Sequence, residues 1–308
     1  MPRSLTLLAE QLLNGLQFGV MLFLMAAGLT LVFGVMGLIN LAHGSLFMVG
    51  AFAAAWVQGQ TGSFLLGLLA GLAAAGVTGI AMELVVLRRL YGRNHLDQVV
   101  ATFGLILFFN EAMAMIFGRQ PLTVGIPAWL SGAVQIIPGV PYPVFRLAII
   151  GAGLLVAGGL YWLIGHTRLG MLLRAGATNR DMVRALGVDI GRLTTAVFGL
   201  GALLAGLAGV LTGPLLSVQV GMGDRILITT FVVIVIGGLG SVRGAFAGAM
   251  LVGMVDTLSR ALLPALLRGV LPVSSADAVA AGLASMSIFI LMALVLLLRP
   301  RGLFPAHG

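Results

Sequence analysis

Nine carboxylates, four histidines and no cysteine are all that this chain of 308 residues offers to acid–base, nucleophilic or metal chemistry. The histidines, His43, His95, His166 and His307, are scattered without the paired spacing of a metal site, and no carboxylate dyad stands out. No catalytic residue and no metal site is therefore expected. Without cysteine there are no disulfides and no thiolate ligands. All 17 basic residues are arginine, so the lysine that a Walker A loop places on nucleotide phosphates is missing, and the chain is not a P-loop ATPase of the usual kind. The formal charge of +8 comes from arginines beside apolar runs, a pattern that membrane loops explain better than nucleic-acid binding.

What remains are polar groups inside apolar runs, where burial in lipid is costly and a protein neighbour or a water-filled path is required. Glu10, Asn14 and Gln17 recur at i, i+4 and i+7 and form one stripe. Asn40 and His43, three apart, share a face, and Asn110 and Glu111 sit together deep in a later run. Asn14, Gln17, Asn40, His43, Asn110 and Glu111 are thus candidates for a translocation path, with a structural hydrogen bond between helices as the alternative for each. Asp256 lies one turn before Arg260 and reads as a structural ion pair.

The elements that must hold these groups are membrane helices. Hydrophobic residues make up 60% of the chain and charged residues 8%, against about 25% charged in an ordinary soluble domain. The composition predicts an all-α polytopic membrane protein, a single transmembrane domain over 1–308. About eight or nine spans are expected, in runs 10–34, 40–57, 64–87, 98–117, 145–165, 194–216, 226–239, 244–263 and 278–298. The run at 226–239 is short for a complete span, and 33–40 could be a break within a bent or re-entrant element. With nine spans, eleven arginines fall on one side and six on the other, which places the carboxyl end and the central loop in the cytoplasm and the amino end outside. Trp56, Trp129, Trp162, Tyr91, Tyr142 and Tyr161 fall near span ends, as interfacial anchors do. Gly240, Gly244 and Gly248 repeat every four residues and mark a close-packing face. The outer connection 118–143 is rich in proline, stiff, and reads as a partner platform or as a lid.

The longest polar interruption is 168–192. Thr178 and Asp181 fit a capping box and Gly187 a helix stop, which predicts a helix of about two turns over 179–186. Met182, Val183 and Leu186 then lie on one side, and Arg180 and Arg184 on another. A helix so short cannot hold itself together in water, so a protein docked at the membrane surface must cover its apolar side; the other reading is a helix resting on lipid headgroups.

With these residues in hand, the chain resembles the membrane permease subunits of ABC importers for branched-chain amino acids. Three stretches carry the likeness: GLTLVFGVMGLINLAHGSLFMVGAF at 28–52, residues 174–193, and VVIVIGGLGSVRGAFAGAMLVG at 232–253. The closing LRPRGLF looks similar too. In the wider importer class the cytoplasmic motif is Glu-Ala-Ala, three residues, then Gly; here Asp181, Met182, Val183 and Gly187 stand at those places, so only the glycine matches. The resemblance implies that the short helix is a coupling helix lying in a groove of a separate ATPase subunit, with Thr178, Arg180, Asp181, Met182, Val183, Arg184, Leu186 and Gly187 at the contact. It implies a second permease, two ATPase subunits that bind ATP and Mg, a periplasmic or lipid-anchored binding protein, and a place in the bacterial inner membrane. This chain itself would carry no cofactor and no enzymatic activity. Within the family, related permeases carry urea, short amides or other small acids; outside it, a stand-alone proton-linked carrier or channel using Glu111 or Asp256 is the alternative.

Overall fold

The computed structural model describes residues 3–137, 140–269 and 271–304; His307 and Pro138 lie outside them. Each of the nine apolar runs forms a helix: α1 (Arg3–Met36), α2 (His43–Thr61), α3 (Phe64–Val85), α4 (His95–Phe117), α5 (Val144–His166), α8 (Ile190–Thr212), α9 (Met222–Gly237), α10 (Val242–Leu267) and α11 (Val273–Leu298). Two more, α6 (Arg168–Thr178) and α7 (Arg180–Ala185), occupy the central polar stretch. Among the described residues, seven helices are long and apolar enough to cross a membrane, and α2 and α9 are not among them. The 16 residues of α9 rise about 24 Å, short of the ~30 Å hydrocarbon core.

α2, at 19 residues, falls outside that set by composition rather than by length, yet α2 and α9 are placed alike. Each follows a long helix after an irregular connection, 37–42 and 213–221, and each begins inside the bundle. Their first turns touch: a Cβ built on Gly44 would run into the Gly223 carbonyl, and one on Gly223 into that of Gly44. Beside this contact α1 crosses α8, where a Cβ on Gly28 would meet the Gly201 carbonyl at 2.7 Å. Around the crossing the pairings repeat. α1 runs antiparallel to α10, with Gly15 against Met254 and Gly19 against Ala249, as α8 runs antiparallel to α3, with Gly79 against Ala202 and Gly71 against Val210. Thus α1–α3 and α8–α10 follow one plan in opposite directions across the membrane, an arrangement familiar in transporters with inverted repeats.

Small residues make this possible, because without a water-driven core the helices gain from close approach of their backbones. Gly244 and Gly248 serve that purpose on α10, where a Cβ would strike Gly237 and the Val233 carbonyl of α9. Gly240 lies outside α10, in the turn from α9, with φ of +81° that L side chains rarely adopt, and its backbone faces Gly34 of α1. Its role is to make the turn.

One end of the bundle gathers the ends of α1, α3, α5, α9 and α11 with α6 and α7. Leu303 and Phe304 donate backbone hydrogen bonds to Ile236 and Gly237, closing the carboxyl end onto α9. The eleven arginines grouped together from sequence belong to these helix ends and their connections. At the opposite end the proline-rich connection is not one helix, as expected, but it does contain a hairpin of β1 (Ala133–Ile137) and β2 (Val140–Pro143). Leu122 bridges to Val218 of the α8–α9 connection, and the Gln58 side chain donates to the Gly125 carbonyl at 2.7 Å.

Candidate functional site

At the arginine-rich end, α6 buries Leu173 and Gly176, the latter against Leu193 of α8 and Val35 of α1. The Thr178 hydroxyl donates to the Arg174 carbonyl at 2.9 Å as part of the last turn of α6, so it caps nothing. The cap of α7 is Asn179, whose side-chain oxygen accepts from the Met182 amide at 3.0 Å; the expected Thr178–Asp181 box does not form, because a second helix ends where a loop was foreseen. α7 is accordingly shorter than 179–186. Gly187, with φ of +85°, stops it.

The apolar residues of α7 do not share one fate. Val183 is buried against the protein, while Met182 is 58% and Leu186 76% exposed. Arg180 also turns inward, donating to the Val35 carbonyl at the end of α1, and burial holds its guanidinium below the ordinary value. It is therefore an anchor within the chain and not a free docking charge, leaving Asp181 and Arg184 as the exposed charges of α7.

Next to α7 lies a cluster with no counterpart in the sequence reading. Glu83, fully buried at the end of α3, accepts from the Arg88 guanidinium at 3.2 Å, from the Tyr91 hydroxyl at 3.0 Å and from the Thr195 hydroxyl at 2.9 Å. Arg88 reaches on to Thr195 and the Gly191 carbonyl, tying the start of α8 to the end of α3. Burial, then the Glu83 charge, pushes the Tyr91 phenol well above its usual range. Tyr91, half-buried, thus turns its hydroxyl into the chain rather than out to the interface. The same is true of Tyr142, which is 1% exposed, whereas Trp56, Trp129, Tyr161 and Trp162 stay exposed.

The polar residues within the spans separate into distinct settings. Asn40 and His43 are fully buried at the start of α2, where the Asn40 side-chain oxygen accepts from the Ala42 amide at 3.1 Å. The His43 ring rests against Gly28, beside the α1–α8 crossing. The Asn110 amide donates to Asp224 of α9 at 2.8 Å. Glu111 instead faces outward, 60% exposed, and pairs with Arg119 at 2.9 Å. Asp256 and Arg260 form the expected pair at 2.9 Å. Asn14 accepts from the Tyr142 hydroxyl and the Arg146 guanidinium. Gln17 is 6% exposed and lines a cavity of about 480 Å³ between α1, α2, α5 and the start of α9. Of the six candidate path residues, Gln17 alone lines this cavity, and Asn14 holds one of its walls through Arg146. Among the described residues no group of three or more His, Asp or Glu could hold a metal ion.

An all-helical bundle of membrane-spanning length, with an inverted pairing of helices and a short exposed helix at its arginine-rich end, is the architecture of a transport permease. The chain belongs to the family of permease components of branched-chain amino acid transport systems, whose model matches residues 11–298. It is 32% identical to the high-affinity branched-chain amino acid transport system permease protein BraD of Pseudomonas aeruginosa, over 96% of this chain and 94% of that protein. It is 27% identical to the corresponding LivH of Escherichia coli K12 over the same shares, and 27% identical to the ribose import permease protein RbsC of that organism over 80% of this chain and 77% of RbsC.

Proposed function

We propose that this chain is the membrane-spanning subunit of an ATP-driven importer of branched-chain amino acids, working beside a second permease, two ATPase subunits and a substrate-binding protein. The observation that carries the reading is α7: Val183 and Arg180 fasten it to the bundle while Met182 and Leu186 present bare apolar surface beside Arg184. Two apolar side chains fixed in that way, on a helix too short to be stable alone, suit a groove on a partner protein. The chain has no lysine for nucleotide phosphates, so hydrolysis belongs to that partner. On this reading the arginine-rich end faces the cytoplasm of a bacterial inner membrane and the hairpin end faces the binding protein. Asn14, Gln17, Asn40, His43 and Asn110 remain the path residues of the proposal; Glu111, paired outside the bundle, does not.

Leu186→Asp tests the docking. The side chain is exposed, so the purified variant keeps the melting temperature of the parent, but it places a charge in the contact and uncouples ATP hydrolysis from uptake. Normal uptake by Leu186→Asp would remove α7 from the coupling role.

A further inference from the structure

We infer that the groove flanked by α5, α6 and α10, over the arginine-rich half of α1, holds one anionic phospholipid from the leaflet at that end, with its phosphate received by Arg243 and Arg174. The inference stands apart from the permease reading and goes beyond it.

α5 and α10 each pack on α1 and, with α6, enclose a cavity of about 770 Å³ between them. Its polar groups are graded in depth. Arg174 and Arg243 stand exposed at the rim, and among the described lining residues no carboxylate offsets them. Arg174 is steadied there by donating to the Ile164 carbonyl. Arg243 lies over the Tyr161 ring at 5.4 Å and, among the described residues, has no hydrogen bond or ion pair. The donors of its guanidinium are thus uncommitted. Deeper in the same lining, Thr30 is 1% exposed and its hydroxyl has no partner. A hydroxyl buried in that way is costly unless something from outside the chain accepts its hydrogen bond. Beyond it, Leu31 and the edge-on pair Phe23 and Phe246, with ring centroids 5.1 Å apart, give an apolar floor.

From rim to floor the groove asks for an anion, then a hydrogen-bond acceptor, then hydrocarbon. A phospholipid supplies them in that order, as phosphate, ester carbonyl and acyl chain. Thr30 precedes Val35, near the end of α1, by about 7 Å of helix rise, a depth that suits an ester hanging below its phosphate. A basic pocket between membrane helices on the arginine-rich side is the setting in which anionic headgroups bind. A free phosphate would leave the apolar floor bare, and a zwitterionic headgroup would bring its own cation against the arginines. α6 forms one wall through Leu173, Arg174 and Ala177 and leads into α7, so the lipid braces the segment that carries α7.

The test uses the full chain, purified in mild detergent and washed free of lipid, with three probes: dioleoyl phosphatidylglycerol, dioleoyl phosphatidylcholine and inorganic phosphate. Only phosphatidylglycerol should raise the melting temperature. Arg243→Gln should raise the concentration needed for half of that shift about fivefold, the usual worth of one basic residue at a lipid surface. Thr30→Val should melt at or above the parent without lipid, because it removes an unpartnered hydroxyl, yet respond less to phosphatidylglycerol. Arg192→Gln, at the same end but outside this cavity, should keep the response of the parent. An equal shift with phosphatidylcholine, an unchanged response in Arg243→Gln or an equal loss in Arg192→Gln overturns the assignment. So does a full shift with inorganic phosphate, which would make this a site for a free anion. Native mass spectrometry of the chain, together with any subunits that purify with it, should find a phosphatidylglycerol retained by the parent and lost in Arg243→Gln. Retention by neither would make the groove a contact between proteins instead.

Discussion

A buried carboxylate needs every one of its partners, and Glu83 has three of them converging from Arg88, Tyr91 and Thr195. Glu83→Ala leaves the Tyr91 hydroxyl without its acceptor and Arg88 without its carboxylate, while Thr195 keeps the Gly191 carbonyl, and should cost about 2 kcal/mol, read as a lowered melting temperature. Arg88→Met should be worse, because it strands the fully buried charge, and the double variant with Glu83→Gln should recover much of the loss. The order of these three melting temperatures is the check. Alkaline pH addresses the same cluster. The folded state holds the Tyr91 phenol above its ordinary value of about 10, so its contribution is complete below that pH and is lost as pH rises beyond it. Melting curves should therefore fall off above about pH 10, and less steeply in Tyr91→Phe. None of this cluster was legible in the sequence. Arg88 lies five residues from Glu83 across a helix end, and Thr195 is 112 residues away, so no helical spacing links them. The Asp256–Arg260 pair was legible because it obeys the i, i+4 rule within one helix.

Helices betray themselves by composition, but their terminations depend on neighbours. Each of the nine apolar runs became a helix, and Gly187 stops α7 as its spacing suggested. The cap was misassigned because Thr178 and Asn179 are both good capping residues, and only the existence of α6 decides between them. The inward turn of Val183 and Arg180 could not be foreseen either, since it depends on where α1 ends and α8 begins. The shortness of α9 was visible as a run too brief to span, whereas its meeting with α2 was not, because Gly44 and Gly223 lie far apart in the chain. That meeting leaves no room for side chains. Gly44→Val should lower the melting temperature by overpacking, at a cost of at least about 1–3 kcal/mol. Gly59→Val on the same helix, where a Cβ would meet nothing within 4 Å, is the control and should change little. Equal melting temperatures for the two variants would contradict the α2–α9 contact.

For the molecule as a whole, the two antiparallel sets α1–α3 and α8–α10 give a bundle whose ends differ. One end collects the arginines, α7 and the Glu83 cluster; the other holds the hairpin and the cavity lined by Gln17 and Arg225. A subunit driven from one end and loaded at the other fits that polarity, with α1 reaching from Asn14 near the hairpin to Val35 beneath Arg180. The most direct test of the account is purification through a tag on this chain, in mild detergent from its native host, followed by reconstitution into liposomes with labelled leucine and the cognate binding protein outside. The account predicts that a second permease and ATPase subunits come with the chain and that leucine accumulates only when ATP is present inside. A chain that purifies alone and takes up leucine in response to a proton gradient, with ATP making no difference, would contradict it.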